Sequence, residues 1–130
     1  MPDRIPRMES KSTFKITRWD QTVYDEAEPQ LGRALVDKAY SGVMEGTSTA
    51  ELTMCQPSDG AAGYVGTERF VGTLDGKVGT FVLQHGAVMS GDDAQFWGHI
   101  VPGSGTGELA GISGTARLEH ELITLDADLG

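Results

Sequence analysis

Cysteine, cationic charge and long apolar runs are all scarce in this chain. Cys55 is its single cysteine, so no intramolecular disulfide can form and a reducing, cytoplasmic setting is expected. Ten Lys and Arg stand against nineteen Asp and Glu, a formal net charge of -9. Such a field repels a phosphate backbone, so nucleic acid is not an expected partner. No apolar stretch approaches the roughly eighteen residues that span a bilayer, and the polar start holds no signal-peptide core, so neither a membrane nor export is expected. His85, His99 and His120 lack the H-x-H or H-E-x-x-H spacing of a metal site, and Glu119, Glu121, Asp126 and Asp128 alternate like a solvated strand face. No metal and no other cofactor is expected.

What is present fits a single small domain. The 130 residues are 38% hydrophobic and 22% charged, enough to bury a core without disulfides or a structural metal. Residues 1–8, with Pro2, Pro6, Arg4 and Arg7, read as a disordered or non-native leader, and 9–130 as one domain. Sustained helical periodicity is lacking. Short runs rich in Thr, Val, Phe and Tyr recur instead between Gly-rich punctuation, which predicts an all-β fold. The runs are Thr13–Trp19, Leu31–Tyr40, Thr47–Cys55, Tyr64–Leu74, Val78–Met89, Ala94–Val101, Leu109–Glu119 and Leu122–Leu129, with Asp20–Gln30 as a loop. Asp75-Gly76 between two such runs is a hairpin signal. About eight strands at this spacing suit a closed or nearly closed antiparallel barrel, or a sandwich. The Val78–Met89 run is polar on neither face, so both sides are expected to be covered, the outer one by a neighbouring subunit or by a terminal segment. A homo-oligomer is the expected assembly.

Three stretches carry a resemblance: Tyr64–Gly76 followed by Gly79–His85, Val101–Gly111, and Tyr40-Ser41-Gly42 with Glu45-Gly46. Together they resemble a bacterial family catalogued as a domain of unknown function. That resemblance implies a closed antiparallel barrel similar to that of allene oxide cyclase and distantly like the lipocalins. It implies no reaction and no catalytic residues. A barrel of this size does imply a location, since it encloses one small ligand and receives it at an open end.

Glu68 alternates with Tyr64 and Phe70, so an inward parity sets a carboxyl among aromatic rings, where desolvation raises its pKa and suits it to general acid or base work. The competing reading, favoured by burial statistics, has Glu68 facing solvent or paired with a Lys or Arg on a neighbouring strand. Gln84 and His85 point to opposite faces. His85, beside Phe81 and Leu83, reads more readily as a hydrogen-bonded core residue than as a base, whereas Gln84 could orient a ligand carbonyl. Trp97 offers a flat wall for an organic ligand, or for a core. Gly103–Gly107 lacks the Lys and the helix of a phosphate cradle, though Glu108 beside it could project over a barrel mouth. Cys55 has no identifiable base and reads as a buried thiol.

Three functions compete on this evidence. The first is a module binding a small apolar or amphipathic molecule through Tyr64, Phe70, Gln84, Trp97 and Glu108. The second is a cofactor-independent isomerase or cyclase in which Glu68 shifts a proton. The third is a structural oligomeric protein without a ligand.

Overall fold

Alternating Thr, Val and aromatic residues dictate extended chain here, and the strands are long. The computed structural model describes residues 7–130. Its strands are β1 (Arg7–Asp25), β2 (Leu31–Gly42), β3 (Met44–Ser58), β4 (Ala61–Leu74), β5 (Lys77–Ser90), β6 (Asp93–Ile100), β7 (Thr106–Gly107), β8 (Ser113–Glu119) and β9 (Leu122–Asp128). The sheet order is β4-β3-β2-β1-β9-β8-β6-β5, and β5 pairs back on β4, so eight antiparallel strands form a ring. The ring is nearly barrel-like, the first of the two architectures, barrel or sandwich, that the spacing of the runs suits. Its thinnest seam lies between β6 and β8, which share one residue pair, His99 with Thr115. The short β7 pairs with β5 at Gly79 and Thr80. Asp75 and Gly76 both adopt positive φ, as a two-residue hairpin turn requires.

The inner faces divide the lumen into two halves. Large side chains fill one: Phe70, Leu74, Phe81, Leu83, Ile123 and Leu125 are fully buried in a single cluster with Met44. The inner face of β2 and β3 above this level carries Ala34, Val36, Ala50 and Leu52, a second and smaller cluster. Bulky residues thus plug one end of the ring, and short ones leave the other open.

Three features depart from the sequence expectation. Asp20–Asp25 belongs to β1, not to a loop, and pairs with β2 as far as Leu31. From Lys15 onward β1 is exposed on both faces, so no apolar alternation marks it as a strand. The Leu109–Glu119 run begins as a strand only at Ser113; Leu109–Ile112 forms a turn, bonded from Ile112 N to Leu109 O, that inserts Leu109 and Ile112 into the core. On β5, Phe81, Leu83, His85 and Ala87 form the buried inner face, and Val78, Gln84 and Val88 lie exposed on the outer face of the single chain, the face for which a neighbouring subunit or a terminal segment is the expected cover. Arg7 and Met8, assigned to the leader, pair with Asp128 and Ala127 of β9; the rest of that leader, residues 1–6, lies outside the described residues. No helix among the described residues is long and apolar enough to cross a membrane.

Candidate functional site

The open end follows from unequal strand lengths. The β8–β9 turn, His120-Glu121, stops level with Phe14, whose N–H donates to Glu121 O at 3.0 Å. Strand β1 continues to Asp25 with β2 as its neighbour, and among the described residues the outer half of β6 is paired only to β5. The wall is therefore notched between β1 and β6, and a cavity of about 720 Å³ opens there. Ile16, Trp19, Val36, Leu52, Met54 and Phe96 form apolar walls, while Lys38, Tyr64 and His85 supply polar atoms. Apolar walls with a few convergent polar groups are the usual character of a small-molecule site.

Behind this polar patch lies a buried charge network. Lys38 is on β2, Ser48 and Ala50 on β3, Glu68 on β4 and His85 on β5, all pointing inward. Ala50 faces Glu68 across the β3–β4 ladder and Lys38 faces Ser48 across β2–β3. The small side chains of β3 let Lys38 reach over that strand to β4. Glu68 has no solvent exposure, and its carboxylate accepts four hydrogen bonds. Lys38 Nζ and His85 Nε2 reach Oε1, each at 2.8 Å; the hydroxyls of Tyr40 and Ser48 donate to Oε2 at 2.5 and 2.6 Å. Burial works to raise the Glu68 pKa, but the His85 hydrogen bond and the Lys38 charge outweigh it and hold the carboxyl well below the ordinary range. Tyr40 is pushed far up by burial and by the charge of Glu68.

An ionised Glu68 can only accept, so His85 Nε2 carries the proton between them. In the neutral ring Nδ1 is then an acceptor, and it lies 2.9 Å from the Tyr64 hydroxyl. Burial, then the Glu68 charge, pushes Tyr64 up to about 12, which keeps its hydroxyl protonated and able to donate. Lys38 also lies 4.5 Å from the centre of the Phe14 ring, a cation–π contact at the cavity wall.

The residues singled out in the sequence are dispersed by this geometry. Tyr64 lines the cavity, and Glu68 sits behind it, closed off by its own partners. Phe70 lies deeper in the filled half, edge-on to Tyr40 at 5.5 Å. Gln84 and Trp97 are on the outside, where they line a separate hollow of about 410 Å³ with Glu51 and Thr67. Strand parity puts them there: Gln84 alternates with the inward His85, and Trp97 packs flat on Gly86, where a Cβ would come within 2.5 Å of the indole. Glu108 is outside as well and accepts from the Val78 N–H at 3.0 Å. Lys38, Tyr40 and Ser48 were not singled out in the sequence. The one signal for Lys38 was its place on the face shared by Ala34, Val36 and Tyr40, an apolar series in which a lysine is out of place. Among the described residues no group of three or more His, Cys, Asp or Glu is placed to hold a metal ion.

Comparison with known proteins gives family and fold. A crystal structure of a protein of unknown function from Shewanella oneidensis MR-1, of the DUF3224 family, superposes with a TM-score of 0.80. It is 30% identical, over 95% of this chain and 96% of that one. No curated protein matches. The family model described as "Protein of unknown function (DUF3224)" matches residues 10–123, which contain every member of the Glu68 network. On this match the chain belongs to the DUF3224 family.

Proposed function

We propose that the protein binds a small amphipathic organic molecule in the open half of its ring. The observation that carries this reading is the cavity itself: about 720 Å³, apolar on its walls, with Lys38, Tyr64 and His85 converging at one place. The apolar body of a ligand gains roughly 25 cal/mol for each Å² it buries against such walls, and the convergent polar groups fix the orientation of its polar end. A cytoplasmic setting belongs to this reading and fits the lone, half-buried thiol of Cys55.

Titration with the neutral dye N-phenyl-1-naphthylamine tests it. Saturable fluorescence enhancement at one site per chain is expected, weakened by Met54→Trp, which puts a bulky ring in the mouth. Absence of saturable binding would leave the purely structural role in possession.

A second reading, a cofactor-independent isomerase or cyclase, is favoured by one specific observation. Tyr64, His85 and Glu68 are hydrogen-bonded in series, a hydroxyl, an imidazole and a carboxylate of the kind that moves protons in enzymes. The implied likeness to allene oxide cyclase points the same way, as analogy only.

A further inference from the structure

The Glu68 network is more than a buried ion pair, because two of its ends emerge at the same surface. Tyr64, Lys38 and the His85 ring between Tyr64 and Glu68 line the cavity, while Glu68, Tyr40 and Ser48 do not. Burying two charges costs free energy that a well-packed apolar core avoids. A group of side chains whose only task was to fill this space would not need a lysine and a tyrosine in the lining of an apolar cavity.

Charge counting narrows what the ligand presents to them. Glu68 contributes one negative charge and Lys38 one positive, so with a neutral His85 the network is balanced. A carboxylate entering this partly desolvated place would add an unmatched charge. An uncharged acceptor, a carbonyl oxygen, leaves the balance intact and takes an N–H of the ammonium, which among the described residues donates one hydrogen bond, to Glu68.

We infer that the site takes an enolisable ketone or aldehyde on an apolar body and moves its α-proton, with Lys38 and Tyr64 as the residues touching it. This rests on the binding reading above and gives it a substrate class. The carbonyl oxygen accepts a hydrogen bond from Lys38. The α C–H bond breaks, and its proton passes to the Tyr64 oxygen as the Tyr64 proton passes to His85 Nδ1. The electron pair left on carbon becomes the enolate double bond, and the carbonyl π pair moves to the oxygen held by Lys38. His85 is then an imidazolium between Tyr64 and Glu68, and the carboxylate stabilises it. Return of the proton along the same path, to the same carbon or to one in conjugation with it, restores all three side chains. The outcome is exchange of the α-proton with solvent, or migration of a double bond where the proton returns to the conjugated carbon, with no oxidant or reductant consumed. Tyr40 and Ser48 are positioning residues that hold the Glu68 carboxylate in place.

The test uses 1-phenylpropan-2-one in deuterium oxide, with loss of its α-proton signals followed by NMR. The ketone is expected to displace N-phenyl-1-naphthylamine and to exchange about a hundredfold faster than in buffer, the lower range of general acid–base catalysis. Tyr64→Phe, which keeps the ring, is expected to lose the acceleration when compared with the wild type at equal occupancy of the site by the ketone. Three results overturn the inference: a ketone that does not displace bound dye, exchange at the buffer rate while the dye is displaced, or acceleration unchanged in Tyr64→Phe. In each of them the dye still binds, so the binding reading stands; it fails separately, if the dye itself does not bind.

Discussion

Lys38 of β2 and Glu68 of β4 meet at 2.8 Å across the whole width of β3, both almost fully buried. The intervening strand offers only Ser48 and Ala50 at the crossing, and this absence of bulk makes the contact possible. The cavity, the polar patch and the proposed chemistry all depend on this crossing.

The first expectation concerns the pair itself. Lys38→Met leaves Glu68 buried without its cation and is expected to cost about 3–5 kcal/mol of unfolding free energy. Adding Glu68→Gln to the same chain removes the stranded charge and should recover much of that loss. Urea denaturation of the two variants beside the wild type measures both effects, and a double variant no more stable than Lys38→Met would show that the charges are not coupled.

Acid should act through the same carboxyl. The folded-state pKa of Glu68 is depressed, so its contribution to stability is complete above the unfolded carboxyl value, about 4.3, and is lost as pH falls from there toward the folded value. The stability difference between wild type and Glu68→Gln should therefore be level near neutrality and shrink below about pH 4. A difference that stays constant down to pH 3 would contradict the ionised, hydrogen-bonded state described for Glu68.

The turn at the mouth carries backbone strain. His120 and Glu121 both have positive φ, 53° and 61°, where a side chain costs about 1–2 kcal/mol per residue. His120→Asn with Glu121→Gly supplies the residues this two-residue turn favours and should raise stability by about 1–2 kcal/mol, read as a higher urea midpoint. A lower midpoint would mean that the native side chains contribute more than their strain costs.

Assembly beyond one chain is a further proposal. Among the described residues, the half of β1 beyond Phe14 has one edge without a partner strand and exposes Ile16, Trp19 and Val23, and the outer faces of β4 and β5 expose Val65, Val71, Val78 and Val88. Sedimentation should find more than one copy per particle, and Val23→Lys should weaken any association through the β1 edge. A wild-type monomer at micromolar concentration would contradict the proposal.

The sequence made the ring legible because each inner face keeps a period of two and because Asp75-Gly76 marks its hairpin without ambiguity. It hid the second half of β1, whose residues face water on both sides, and it hid the Leu109–Ile112 turn, whose apolar residues imitate a strand. The site was half legible. Tyr64, Glu68 and His85 were all singled out, but pairing register alone reveals that they join one another and that Lys38 arrives from two strands away. Gln84 and Trp97 were drawn toward the ligand by residue type, and one step of strand parity set them outside.

The central claim, that a small molecule enters the ring rather than the outer hollow, is tested most directly by the indole N–H signals of the two tryptophans. Trp19 lines the cavity and donates its Nε1–H to Gln21 at 3.0 Å, whereas Trp97 faces the hollow outside. Titration of the ¹⁵N-labelled protein with N-phenyl-1-naphthylamine, the signals assigned with Trp19→Phe, should move the Trp19 resonance and leave that of Trp97 in place. Movement of Trp97 alone, or of neither at saturating dye, would contradict the account.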